Sequence, residues 1–180
     1  MACNRSYVES LCGGKVLLIG TGCNCIPELV KKYHVDVVIG LFESWECDIP
    51  GRLVTYHLPV RDFSVEPLFN VVTAVKLAAR HLARGESVLI ACRGGCGRTG
   101  TVISLFNIVY RCMGYRDAVD HYVRLRGCGP ETPDQHSLLY KASEIAANAG
   151  CEPLIGKDAC RKPSSYDPDF VLEAILEYVF

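Results

Sequence analysis

The chain lacks an excess of either charge and lacks any long apolar run. Of its 180 residues, 19 are Lys or Arg and 20 are Asp or Glu, a formal net charge of −1. That balance excludes the broad electrostatic footprint of a nucleic-acid or anionic-membrane protein, so any anion site must be local. No stretch approaches the 18 apolar residues of a membrane span, and "MACNRSYVESLCGGK" has no apolar core of signal-peptide length. The expected location is the cytoplasm. Thermolabile side chains are scarce too, with one Gln, five Asn and two Met, a composition that suits a thermophile.

Cysteine is plentiful. Eleven cysteines are unusual for an intracellular chain, and intracellular proteins of hyperthermophiles are the exception that carries disulfides. They do not read as metal ligands: "GTGCNCIP" is C-x-C, and no C-x-x-C pairs with a second such element. His57, His81, His121 and His136 show no metal spacing and read as structural or surface groups. "GTGCN" lacks the G-x-G-x-x-G of a dinucleotide loop. No metal and no cofactor is expected. A bridge between Cys151 and Cys160 is expected across a short tail loop, with Cys23 and Cys25 buried or paired elsewhere.

Hydrophobic content of 49% with 22% charged residues is that of a globular protein. Strands are expected at 15–20, 35–41, 53–60 and 87–91, as short apolar runs bounded by polar or glycine residues. Helices are expected at 27–34, from Leu68 to near Gly85, and at 99–113, 115–126, 133–150 and 170–180. In the second of these, Leu68, Val71, Val72, Val75, Ala78, Ala79 and Leu82 recur at helical spacing. Alternation of strands with helices implies an α/β fold with a mainly parallel central sheet flanked by helices. One domain is expected over 1–180, with a core at about 15–150 and residues 151–180 as an appended loop and helix.

Between the strand at 87–91 and the helix at 99–113 lies "CRGGCGRTG". In open α/β sheets ligands bind at the carboxyl ends of strands, and glycine-rich turns into helix N-termini present backbone N–H groups to anions. A nucleotide loop would need G-x-x-x-x-G-K-[ST], whereas Arg98 follows Gly97 here and Cys92 opens the loop. Five residues between Cys92 and Arg98 suffice to bend the backbone of Arg93, Gly94, Gly95, Cys96 and Gly97 around a tetrahedral dianion. Cys92 would lie beneath the central atom and Arg98 would grip two oxygens. The same dipoles would activate Cys92 as a nucleophile. A carboxylic acid must then protonate the leaving oxygen. Asp62 in "HLPVRDFSVEP" is the candidate, with Glu66 and Asp48 as fallbacks.

This loop resembles the signature His-Cys-x-x-Gly-x-x-Arg-Ser/Thr-Gly of the protein tyrosine phosphatase superfamily. The likeness is to compact dual-specificity and archaeal members and runs from about residue 35 to 148. It implies a metal-independent phosphatase acting on phosphotyrosine in proteins, and also on phosphoserine or phosphothreonine, through a phosphocysteine intermediate. It implies that Thr99 bonds the thiolate, that Asp62 sits on a movable acid loop and that Arg93 points outward beside the phosphate. "PETPDQHSLLY" is similar to the family's Gln-Thr-x-x-Gln, so Gln135 would orient the hydrolytic water, while Glu131 reads as a first-turn helix acid. Three positions depart from the pattern: Ala91 replaces the His, Arg61 the Pro before the acid, and Glu131 the first Gln. A Cys92–Cys96 disulfide is a candidate redox pair. The alternatives are a rhodanese-like sulfurtransferase, a thiol–disulfide redox protein using Cys92 and Cys96, and an inactive phosphopeptide-binding module.

Overall fold

A computed structural model of the protein describes residues 3–45, 47–152 and 165–178. Three short apolar segments, β2 (Val16–Gly22), β3 (Val37–Gly40) and β5 (Val88–Cys92), form the centre of a sheet and are buried along nearly their whole length. Such runs suit parallel strands covered on both faces. β1 (Tyr7–Leu11) and β4 (Val54–His57) are the edges of the order β1-β2-β5-β3-β4. β1 runs antiparallel to β2, and the other pairings are parallel. The expected α/β fold with a mainly parallel, helix-flanked sheet is the observed one.

The two faces are covered unequally. Along β5 the side chains alternate: Val88, Ile90 and Cys92 enter one cluster, Leu89 and Ala91 the other. The smaller cluster is closed by α1 (Ile26–Tyr33) through Ile26 and Leu29. The larger takes α2 (Leu68–Ala83), α3 (Gly97–Arg111), α4 (Tyr115–Arg126), α5 (Pro133–Asn148) and α6 (Pro168–Tyr178). α3 is the hub, buried without interruption from Gly97 to Val109, which is why its sequence is apolar nearly all round. α6 packs on α2, α3 and α5, and its Val171, Leu172 and Ile175 are fully buried. Each such side chain contributes roughly 1.5–3 kcal/mol of burial, enough to anchor the helix.

β1 has no counterpart in the sequence expectations. Its burial runs buried, half-buried, half-buried, exposed, buried, so "YVESL" carries no clean alternation. The strand exists because Cys12, Gly13 and Gly14 all take positive φ and fold the chain into a hairpin with β2. Cysteine pairing also departs from expectation. Cys151 bonds Cys112 instead of Cys160, because α3 and α5 pack side by side and Cys112, in the left-handed cap of α3, meets the residue just past α5. Cys160 lies outside the described residues. Cys23 pairs with Cys47 and Cys25 with Cys3, and Cys12 is also disulfide-bonded. No helix among the described residues is long and apolar enough to cross a membrane.

Candidate active site

β5 ends on Cys92, which is 3% exposed and, among the described residues, the one cysteine left as a thiol. The 93–96 turn then leads into α3 at Gly97, two residues earlier than expected, because the Gly100 amide already donates to the Cys96 carbonyl at 2.7 Å. Successive carbonyls of this turn are held from outside. Arg93 O accepts from the Cys23 amide at 3.3 Å, and Gly94 O accepts from a terminal nitrogen of Arg126 at 2.8 Å. Gly95 O accepts from the Tyr122 hydroxyl at 2.8 Å and from Arg126 Nε at 3.1 Å. In a trans peptide the carbonyl and the next N–H point in opposite directions. The amides of Gly94, Gly95 and Cys96 therefore turn the other way, and the Gly95 amide donates to Cys92 Sγ at 3.2 Å.

Glycine is required at position 95. Its φ is +69°, and a Cβ there would run into the backbone of Thr21 and Gly22. Gly22 is similarly confined, with a Cβ only 3.1 Å from the Arg93 and Gly94 backbone. Behind the turn, burial and then the neighbouring Cys92 push the Tyr122 phenol well above its usual range, so it remains a protonated donor.

Arg98 is 5% exposed. One terminal nitrogen donates to Val60 O at 3.0 Å and Leu41 O at 3.4 Å, and the other pairs with Asp62 Oδ1 at 2.9 Å. Its Nε is buried with no hydrogen-bond partner among the described residues. Asp62 is 43% exposed in side chain and is flanked by the exposed ring of Phe63. Cys92, Arg93, Gly94, Cys96, Gly97 and Arg98 line a cavity of about 230 Å³ together with Asp62, Phe63 and Glu131. Arg93 is exposed at its edge. The cavity so brings together the thiol, the guanidinium and the carboxyl group picked out in the sequence.

Several residues stand elsewhere or do other work. Thr99 is fully buried, and its hydroxyl has no hydrogen-bond partner among the described residues. Gln135 is also fully buried and does not line the cavity. Its amide oxygen accepts from the Glu131 and Thr132 amides at 2.7 and 3.3 Å, and Nε2 donates to Ser64 O at 3.4 Å. It is thus part of the capping box of α5 and a tether to the segment carrying Asp62. Glu131 is not a first-turn helix acid: it precedes the N-cap Thr132, and its carboxylate faces the cavity beside Gly97. Glu66 pairs with Arg61 at 3.1 Å, and neither it nor Asp48 lines the cavity.

Cys96 is bonded to Cys128, so the Cys92–Cys96 pair is replaced by a bridge from the turn to the segment after α4. The reason is steric direction: Cys92 belongs to β5 and points into the larger core, whereas Cys96 caps α3 and meets the end of α4. The histidines serve local hydrogen bonds, His57 to Phe42 O, His81 to Glu86 and Tyr56, His121 to Glu9 and Arg124, His136 to Tyr115 and Pro130 O. Sequence reasoning missed Tyr122 and Arg126. Their i, i+4 spacing marks one helix face, but nothing local says which loop that face meets.

Comparisons with known proteins bear on the fold that carries this cavity. A family model described as "Tc-R-P: Polymorphic toxin system, DSP-PTPase phosphatase" matches residues 28–111, the span from α1 to the end of α3. An uncharacterised protein of Methanocaldococcus jannaschii is 29% identical over 138 residues, which are 70% of this chain and 83% of that protein. The phosphatidylglycerophosphate phosphatase PTPMT2 of Arabidopsis thaliana is 26% identical over 127 residues, 67% of this chain and 55% of that one. The crystal structure of PTPMT1 in complex with PI(5)P shares the fold with a TM-score of 0.66 at 20% identity, covering 80% of this chain and 99% of that chain. The chain therefore shares the fold of these phosphatases, and the segment similar to the DSP-PTPase family contains the Cys92–Arg98 turn.

Proposed function

We propose that this protein is a phosphatase that hydrolyses phosphotyrosine in proteins through a phosphocysteine intermediate. The observation that carries the reading is the convergence of Cys92, the outward-held turn and the Arg98–Asp62 pair on one cavity. Inward amides and the Arg98 guanidinium, including its unpaired Nε, suit the equatorial oxygens of a phosphate. Cys92 sulfur attacks phosphorus as the ester P–O bond breaks, and Asp62 gives its proton to the leaving oxygen. Water then attacks the phosphocysteine, oriented by Gln135, whose amide lies behind Gly97 of the cavity lining. Asp62 takes the water proton, phosphate leaves and the thiolate returns, with the buried Thr99 hydroxyl available to it.

In the structure the Asp62 carboxylate occupies the Arg98 fork that a phosphate oxygen would use. Substrate would displace it toward the leaving group, the place where a proton donor is needed. Phe63 supports an aryl ester: it is 62% exposed and lines the cavity, an apolar ring available to a phenyl group. Asp62 and Glu131 in the same lining favour a substrate with a single phosphate over a polyanionic one. The second reading is a lipid phosphomonoester, favoured by the similarity to the plant phosphatidylglycerophosphate phosphatase.

The test is turnover of a phosphotyrosine peptide, a phosphoserine peptide and phosphatidylglycerophosphate vesicles in EDTA, by wild type and Cys92→Ser. The expected result is highest kcat/KM on the phosphotyrosine peptide and at least about a thousandfold loss in Cys92→Ser. Preference for the vesicles would establish the lipid reading. Turnover that survives Cys92→Ser would overturn both.

A further inference from the structure

We infer that the C-terminal half of α4 is the clamp that presents the anion-binding amides, with Arg126 and Tyr122 as positioning residues for the reaction at Cys92; the inference rests on the proposed phosphatase reading. Arg126 is a planar fork spanning two consecutive carbonyls, Gly94 O at 2.8 Å and Gly95 O at 3.1 Å. Binding both fixes the orientation of two adjoining peptide planes relative to each other. Tyr122, one helical turn earlier on the same face, adds a second donor to Gly95 O at 2.8 Å.

The opposite edge of each plane is the functional one. The peptide whose oxygen Arg126 holds at Gly94 carries the Gly95 amide, which donates to Cys92 Sγ at 3.2 Å. The peptide whose oxygen is held at Gly95 carries the Cys96 amide. Both planes lie at glycines, the residues with the greatest backbone freedom, so local sterics alone do not prevent a peptide flip. A flip would place a carbonyl oxygen where an amide should meet an oxyanion, exchanging attraction for repulsion. Two ends of the turn are secured independently: Arg93 O by the Cys23 amide, and Cys96 by its disulfide to Cys128, two residues beyond Arg126. Ala91, on the α1 side of β5, has no polar side chain with which to brace the loop. The middle of the turn is therefore left to α4.

Arg126 acts through the peptides and touches no substrate, so the test must separate positioning from folding. The experiment measures kcat and KM on an aryl phosphate, the Kd of inorganic phosphate by calorimetry, and Tm, for wild type, Arg126→Ala, Arg126→Lys and Tyr122→Phe. Loss of a charge-assisted pair of bonds predicts a roughly 10- to 100-fold rise in phosphate Kd and a similar fall in kcat/KM for Arg126→Ala. Tm should move by only a few degrees. Arg126→Lys should recover part of the loss, since an ammonium cannot fork across both carbonyls. Tyr122→Phe keeps the packing and should cost about fivefold. Wild-type Kd and kcat/KM in Arg126→Ala, or losses that track Tm and are fully regained by Arg126→Lys, would overturn the inference alone. A wild type that neither binds phosphate nor hydrolyses the ester would overturn the phosphatase reading together with it.

Discussion

The 92–98 loop and the 59–67 segment both line one cavity, and they are held by different means. The first is buried at Cys92 and Arg98, is gripped on its outer carbonyls by the Cys23 amide just past β2 and by groups of α4, and is bonded through Cys96 to Cys128. The second is pinned at its ends: Val60 and Val65 are buried, and Asn70 donates to Pro59 O at 2.7 Å. Its tip is exposed at Arg61, Asp62 and Phe63 and is tied down by partly exposed pairs, Arg61–Glu66 at 3.1 Å and Asp62–Arg98 at 2.9 Å. A site that must recognise a fixed tetrahedral shape gains from a preorganised wall. A proton donor that must approach and leave gains from a tip held by side-chain pairs, of which Arg61–Glu66 is exposed and weak in water and Asp62–Arg98 is open to exchange with a substrate oxygen.

Substitutions should break this comparison unequally. Gly95→Ala should have the largest effect, because a side chain at φ +69° must be accommodated against the Thr21 and Gly22 backbone. A loss of about 2–4 kcal/mol is expected, seen as a Tm lower by roughly 5–10 °C, with kcat/KM down more than about 100-fold. An unchanged Tm would mean that the loop is as yielding as the acid segment. Asp62→Asn should lower kcat about 10²- to 10³-fold on esters with poor leaving groups and leave Tm nearly unmoved, read from a leaving-group series. Equal loss on good and poor leaving groups would remove Asp62 as the proton donor. Arg61→Ala is the mildest: stability should change by less than about 1 kcal/mol and kcat by a few-fold at most, measured by thermal melts and steady-state rates.

The legibility of the two regions in the sequence differs for the same reason. Cys92, the glycines and Arg98 are consecutive, so strand, turn and helix signals flank the nucleophile and locate it without a structure. Asp62 was found through the chemistry's need for an acid in the loop beyond a strand. Gln135 and Glu131 were located by motif, but capping geometry decided that Glu131 would precede the helix cap and that Gln135 would turn back on Glu131 and Thr132. Phe63 gained meaning once it lined the cavity.

Periodicity and turn chemistry alone determined the alternating strands and helices, the buried hub α3 and the thiol–guanidinium loop, because each depends on neighbours within a turn or a strand. Tertiary structure decided the rest. The pairing of Cys96 with Cys128 spans 32 residues and that of Cys112 with Cys151 spans 39. The grip of Arg126 on Gly94 crosses a similar distance. Such contacts depend on where packing brings distant segments together, and residue type and local spacing do not encode that choice among partners of equal chemistry.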